Sequence, residues 1–434
     1  MGTGKTLFAV ERDLRLRRDA AEYFAGRPTL VVAPLNTHDS WVSAFRRESD
    51  LRVKRINRKK REQFVGRDGK YINTADVFIL HYDVLRLMPE LRGRFGHIIF
   101  DECHQLQNRK AKRTKAAKQM GAPLLTDMSG SVFTTNPDNI WSILNHLKPK
   151  SFSSYWRFFD KNILWRQPFG QRYKEILGPA PAWTEETLPS IRGFYSRVTK
   201  EEALPNLPPK VYNTLYVDLE PRQRQMYDEM KRDMLTWIDD PKTDEESPLF
   251  AKAAIAKLSR LQMMCLGTPY FDEKNRVMLQ DPSPKVDALM EHLEANPDEQ
   301  FVVFSQYKGP LRICGDRFRG EGITYGRFTG DDADKVRIRA KLGFIEGKNR
   351  ALLCTIGSGG VGVDGLQHAS CNVVFLDRAW SPTINDQAED RLHRGGQTRH
   401  VNITDILARN TIDFQRLEKI EMKRSWLKTM LGDT

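Results

Sequence analysis

The chain opens on Gly2-Thr3-Gly4-Lys5-Thr6, and the apolar run Leu7-Phe8-Ala9-Val10 follows at once. Read as the right half of the pattern G-x-x-x-x-G-K-[ST], this stretch demands a strand, a tight glycine loop and a helix in that order. Gly4 lets the backbone approach a polyphosphate, Gly2 and Thr3 belong to the same nucleotide-binding turn, and Lys5 places an ammonium on the β and γ oxygens. Thr6 offers a hydroxyl to Mg²⁺, and the helix beginning at Leu7 points its N-terminus at the phosphates. The first glycine of the pattern and its leading strand would lie upstream of Met1, so the chain starts inside the loop.

A loop of this kind sits at the carboxyl end of a buried parallel strand, and further runs fit that sheet. Thr29-Leu30-Val31-Val32-Ala33-Pro34, Asp76-Val77-Phe78-Ile79-Leu80 and His97-Ile98-Ile99-Phe100 are short, almost wholly apolar segments, as strands covered on both faces must be. The last runs into Asp101-Glu102-Cys103-His104, placing carboxylates where ligands bind in open α/β sheets. Asp101 can hold Mg²⁺ directly or through water, Glu102 can orient and deprotonate an attacking water, and His104 can couple this site to its neighbours. Leu124-Leu125-Thr126 leads to another strand end at Ser129-Gly130-Ser131, and residues 139–147 read as an amphipathic helix with Trp141, Leu144 and Leu147 on one side. Asn36, Thr37 and Ser40 follow the first strand; residues of this type either hold a nucleic-acid backbone or cap a helix.

A linker at Leu207-Pro208-Pro209-Lys210 precedes a mostly helical stretch over 220–266 with an acidic loop at 239–246, and a second α/β pattern begins near Lys285. Its strands Phe301-Val302-Val303-Phe304 and Ala351-Leu352-Leu353-Cys354-Thr355 end at Ser305-Gln306 and at the glycine-rich run Gly357-Ser358-Gly359-Gly360-Val361-Gly362-Val363-Asp364, which permits close approach to a ligand or DNA phosphate. After a strand at 372–376 comes Gln387-Ala388-Glu389-Asp390-Arg391-Leu392-His393-Arg394-Gly395-Gly396-Gln397. Arg391 and Arg394, three residues apart, are expected on one face of a helix, two guanidiniums suited to a γ-phosphate.

The net charge of +13 points to a polyanionic partner, nucleic acid first. Seven of the ten residues at 52–61 are Lys or Arg, making Lys59, Lys60 and Arg61 candidates for phosphate contact, and a second basic stretch spans 109–118. The five cysteines lie far apart with no C-x-x-C pair, so neither a zinc site nor a disulfide framework is expected, and a reducing cytoplasm fits. No apolar run is long enough for a membrane helix and no signal peptide is evident.

In this order, G-T-G-K-T, A-P-L, D-E-C-H, S-G-S, F-S-Q, G-S-G-G-V-G-V-D and Q-A-E-D-R-L-H-R-G-G-Q resemble superfamily-two helicases (the DEAD/DEAH-box-like helicases). Within them, Phe152-Ser153-Ser154-Tyr155, the Leu207–Lys210 junction, Arg222-Gln223 to Tyr227 and the His-Arg-Gly-Gly-Gln ending are similar to the Swi/Snf group of double-stranded-DNA translocases. The resemblance implies an α/β fold of two RecA-like parallel-sheet lobes in tandem with helical insertions, ATP and Mg²⁺ at their interface, and DNA across both. It implies an ATP-binding lobe at 1–204 with a helical insertion over about 151–190. A C-terminal lobe at 205–434 would carry a helical insertion over about 220–282 and a final helix over about 411–431. It makes Glu102, His104, Gln387, Arg391 and Arg394 the catalytic set, Thr6 and Asp101 the metal ligands, and Asn36, Thr37, Ser305, Gln306, Ser358 and Gly359 DNA contacts alongside the basic cluster. Asp364 stands where the group has Asn and could bond a ribose hydroxyl; Ser129-Gly130-Ser131-Val132 replaces T-G-T-P, and Cys103 replaces the commonest Ala.

The expected activity is ATP hydrolysis driving movement along duplex DNA, with little sequence preference and strong salt dependence. Strand separation is the alternative within enzymes, though no wedge element is recognisable. A DNA-binding remnant without hydrolysis is the alternative of another class, set against the expectation that the rest of the loop is encoded upstream. The aromatics at 152–173 are expected to form the core of a helical insertion, because Phe152, Tyr155 and Phe159 recur at spacings of three and four.

Overall fold

The computed structural model describes residues 4–56, 74–130, 136–168, 174–238, 248–274, 276–359 and 364–433. It divides into two compact units, one built mainly from residues 2–169 and 173–199 with 425–434, the other mainly from 200–424.

The N-terminal unit is built on β1 (Thr29–Val32), β2 (Val53–Arg55), β3 (Val77–Leu80), β4 (His97–Asp101) and β5 (Leu124–Met128), in the order β2-β3-β1-β4-β5. Each neighbouring pair is parallel. Every residue of β1, β3 and β4 is buried, which is why these runs of Val, Ile, Leu and Phe show no alternation. One core packs Phe78, Phe95, Ile98 and Phe100 on one side of the sheet. The other sets Ala9 and Val10 of helix Lys5–Asp19, and Trp41, Ala44 and Phe45 of helix His38–Glu48, against Val31, Val77, Ile79 and Ile99.

The segment expected to be a helical insertion is only partly helical. Helix Tyr155–Asn162, capped by the Ser154 hydroxyl, leads directly into an antiparallel pair, β6 (Ile163–Arg166) and β7 (Glu175–Pro179). β-Branched and aromatic residues favour extended chain at 163–165, where the periodicity of the preceding helix stops. Phe158 and Phe159 are buried, Phe152 and Tyr155 are half-buried, and Trp156 is 57% exposed, so the aromatic run is core on one face only.

The second unit carries β8 (Lys210–Val217), the pair β9 (Thr268–Phe271) and β10 (Val277–Gln280), then β11 (Phe301–Ser305), β12 (Tyr325–Phe328), β13 (Ala351–Thr355), β14 (Asn372–Phe375) and β15 (Val401–Ala408). Six of these form a parallel sheet in the order β12-β13-β11-β14-β15-β8. Its two faces pack around Phe304, Leu352 and Phe375 on one side and Leu289, Phe301, Val303 and Leu353 on the other. Helices Pro221–Ile238 and Pro248–Met264 flank the acidic loop, which lies outside the described residues. The antiparallel β9–β10 hairpin completes this insertion, which is therefore not all helical either. A final helix spans Ile412–Leu431. All five cysteines are buried and free. Among the described residues no helix is long and apolar enough to cross a membrane.

Candidate active site

In the N-terminal unit the expected residues gather at the carboxyl ends of β4 and β5. Gly4 takes the left-handed conformation (φ 80°, ψ 17°) and starts helix Lys5–Asp19, a backbone open to glycine at little strain. Lys5 Nζ is buried without a hydrogen-bond partner and lies 3.5 Å from Glu102 Oε1. Glu102 itself is left-handed (φ 52°), a conformation costing a non-glycine residue on the order of 1–3 kcal/mol and typical of functional turns. The His104 ring stands 3.2 Å from Glu102 Oε2 and 3.0 Å from the Ser129 hydroxyl, which in turn lies 3.4 Å from Glu102 Oε2. The strand ends of β4 and β5 are thereby joined through one imidazole.

The two adjacent carboxyls are driven apart electrostatically. Burial would raise Glu102, but the His104 hydrogen bond and the Lys5 and His104 charges hold it at about 2. Asp101 moves the other way, pushed up by burial and by the Glu102 charge, against a hydrogen bond from Trp41 and the Lys5 charge. Trp41 Nε1 donates to Asp101 Oδ2 at 3.0 Å, and the Tyr82 hydroxyl donates to the Asp101 carbonyl at 2.6 Å. A lysine ammonium short of acceptors beside a buried acid short of positive charge is a donor set that fits a polyphosphate and its divalent cation. Thr6, half-buried on the first turn of its helix, and Asp101 are the oxygens available to that cation. Burial also pushes the Cys103 thiol well above its usual range, which leaves it inert.

The other expected contacts are more scattered. Gly2, Thr3, Lys59, Lys60 and Arg61 lie outside the described residues. Asn36 is exposed in the turn after β1, while the Thr37 hydroxyl folds back onto the Pro34 carbonyl at 2.9 Å. Gln306 and Ser358 reach the surface, and Gly359 ends a short helical turn. Ser305 corrects the expectation of a nucleic-acid contact through its side chain. It is wholly buried, and its hydroxyl donates to Asp377, anchoring the end of β11.

In the second unit the arginines come together by a different route from the one expected. Helix Pro382–Glu389 ends before them, so Arg391 and Arg394 lie in the turns that follow; Gln387 stays half-buried on the helix. Gly396 is the reason the chain can turn there: its φ is 92°, and a Cβ would sit 2.6 Å from the His368 ring. Both guanidiniums converge on Asp364, Arg391 at 3.4 Å and Arg394 in a tight pair. Burial opposes the charge on Asp364, but Arg394 and then Arg391 hold its carboxyl below the usual range. Asp364 is thus engaged by arginines in this structure, where a ribose contact was expected of it.

Behind them stands an ion network whose only mark along the chain is charged residues in a polar run. Glu389 accepts from Arg378 at 2.7 Å, Lys210 at 2.8 Å and Tyr212 at 3.0 Å. Asp390 pairs with Lys200 at 2.6 Å and Lys210 at 3.1 Å, and His393 bonds the Pro208 carbonyl at 2.8 Å. The segment carrying the arginines is therefore bolted to the chain at 200–212. Trp41 and Tyr82 were also missed, because buried aromatics at core spacing carry no mark of what their polar atoms meet.

Two parallel-sheet units, one with a glycine–lysine turn facing paired strand-end carboxylates and one with paired arginines, define a nucleotide-driven motor of the helicase type. The SNF2-related domain matches residues 1–268 and the helicase conserved C-terminal domain matches residues 284–396. The chain belongs to the SNF2-related family, ATPases of helicase superfamily two. A Mycoplasma pneumoniae protein described as an uncharacterized ATP-dependent helicase is 26% identical over 443 residues, covering 100% of this chain and 40% of its own length. The human SWI/SNF-related matrix-associated actin-dependent regulator of chromatin subfamily A member 1 is 26% identical over 440 residues, covering 98% of this chain and 40% of its own. The chain thus spans about 40% of the length of these relatives. The Sulfolobus solfataricus SWI2/SNF2 ATPase core, solved in complex with dsDNA, is 22% identical, with a TM-score of 0.41 over 100% of this chain and 88% of that one.

Proposed function

We propose that the chain hydrolyses ATP and uses the cycle to move along duplex DNA without parting the strands. The observation that carries this reading is the Lys5–Glu102–His104–Ser129 cluster within a SNF2-related domain. Glu102, held ionised, takes the proton of the attacking water; its low proton affinity makes it a water-orienting group first and a proton acceptor as the water's oxygen bonds to phosphorus. Lys5 stabilises the phosphate oxygens, and Arg391 and Arg394 supply positive charge to the transferred phosphoryl group. Mg²⁺ on Thr6 and Asp101 would neutralise charge on the β and γ phosphates. His104 carries the state of Glu102 to the β5 end through Ser129. Contacts to DNA run mainly to phosphate, drawn by the net charge of +13.

The test uses a chain extended upstream through the whole phosphate loop. Glu102→Gln should retain ATP binding and lose turnover, since the charge and not the shape is removed; turnover at the wild-type rate would take Glu102 out of this role. Duplex DNA should stimulate hydrolysis at least as well as single strands, and a triplex-displacement assay should be positive. Efficient unwinding of forked duplexes, with stimulation by single strands alone, would instead establish a strand-separating helicase.

A further inference from the structure

We propose that Trp41 is the positioning residue that fixes the Asp101 carboxylate for a divalent cation, an inference that rests on the nucleotide-site reading above. Trp41 is wholly buried. Its ring lies in the buried cluster that Ala9 and Val10 of the lysine-bearing helix form with Val31, Val77, Ile79 and Ile99 of the sheet, tilted on Phe45 at 6.1 Å. A ring held on all sides offers its N–H in one direction, and that direction ends at Asp101 Oδ2, 3.0 Å away. A buried indole N–H needs an acceptor but not a charged one. Trp183, equally buried, uses the Met430 carbonyl at 3.0 Å. At Trp41 the acceptor is instead the carboxylate at the end of β4.

The consequence is a carboxylate held at both ends. Tyr82 fixes the main-chain oxygen of Asp101 and Trp41 fixes the side chain, so the carboxylate has lost its rotation before a cation arrives. Outer partners that orient a metal ligand in this way matter about 10- to 100-fold in metal affinity. The hydrogen bond also ties helix His38–Glu48, which begins just after the exposed Asn36 turn, to the metal side of the site.

The test measures cation binding apart from turnover, with Mn²⁺ as a paramagnetic probe titrated by EPR in the presence of ADP, on a chain extended to a complete phosphate loop. Trp41→Phe should weaken Mn²⁺ about 10-fold or more, leave metal-free ADP affinity in EDTA unchanged, and add nothing once Asp101→Asn is present, because both changes act on one interaction. If Trp41→Phe does not fold, the benzothiophene analogue of tryptophan at position 41 keeps the shape and removes the N–H. Unchanged Mn²⁺ affinity in a folded variant overturns the proposal. So does a parallel loss of metal-free ADP binding, which marks a purely structural ring. Failure of the wild-type chain itself to take up Mn²⁺ with ADP overturns the nucleotide-site reading, and the positioning role falls with it.

Discussion

Arg378→Met tests whether the ion network behind the arginine pair holds the second unit together. Arg378 is 4% exposed and donates to Asp405 at 2.6 and 2.9 Å and to Glu389 at 2.7 Å. Methionine keeps an apolar stem and removes the guanidinium, which also lies 4.1 Å over the Phe375 ring. Glu389 retains Lys210, but Asp405 loses both of these bonds, and stranding one member of a buried pair costs about 3–5 kcal/mol. The pKa of Glu389 gives an independent scale: burial would raise it, yet the Lys210 and Arg378 charges bring it from 4.5 to about 2. A gap of about 2.5, at about 1.4 kcal/mol per unit, corresponds to about 3.5 kcal/mol for that carboxylate, net of its burial. For a unit of this size a loss of about 3 kcal/mol lowers Tm by about 6–12 °C. Because the folded pKa lies below the unfolded one, this stabilisation is fully present above pH 4.5 and is lost as pH falls toward about 2. Calorimetry of wild type and variant at pH 7 and down a series to pH 3 should therefore show a gap that narrows below pH 4.5. A Tm difference under about 2 °C at pH 7, below about 1 kcal/mol, would refute the argument that this guanidinium holds the segment in place.

Arg394→Ala should cut DNA-stimulated ATPase by about 10³-fold or more while DNA affinity stays within a few-fold, and Arg391→Ala should act in the same direction less severely; loss of DNA binding with basal hydrolysis intact would reassign the pair as DNA contacts. Gly396→Ala should lower thermal stability by about 1–3 kcal/mol, since it combines a left-handed backbone with a Cβ 2.6 Å from His368, and an unchanged Tm would show that the turn yields freely.

Much of the candidate site in the N-terminal unit was legible because its chemistry is local. Asp101 and Glu102 directly follow the apolar run of β4, and a strand's carboxyl end is where such groups must lie, so position in the chain already predicts position in the sheet. The glycine before Lys5 and the onset of its helix were readable for the same reason. The arginine pair was legible as a pair but not in its geometry: spacing of three suggested a helix face, whereas the helix ends at Glu389 and both side chains meet Asp364 from the turns that follow. The two strand pairs within the insertions were not legible, because the local aromatic periodicity at 152–159 no longer holds across β6 and β7.

By itself the sequence determined the order of buried strands, the placing of phosphate and acid chemistry at their ends, and the polyanion-seeking charge, because each follows from contiguous residues or from composition. Tertiary structure alone decided which distant groups meet: Trp41 with Asp101, His104 with Ser129, Lys210 with Glu389, Arg378 with Asp405, and Ser305 turned inward to Asp377. These pairings are set by sheet order and by the depth of each side chain in the core. Neither is written in the spacing of residues along the chain, since a buried polar atom takes whichever partner the packed strands bring within about 3 Å.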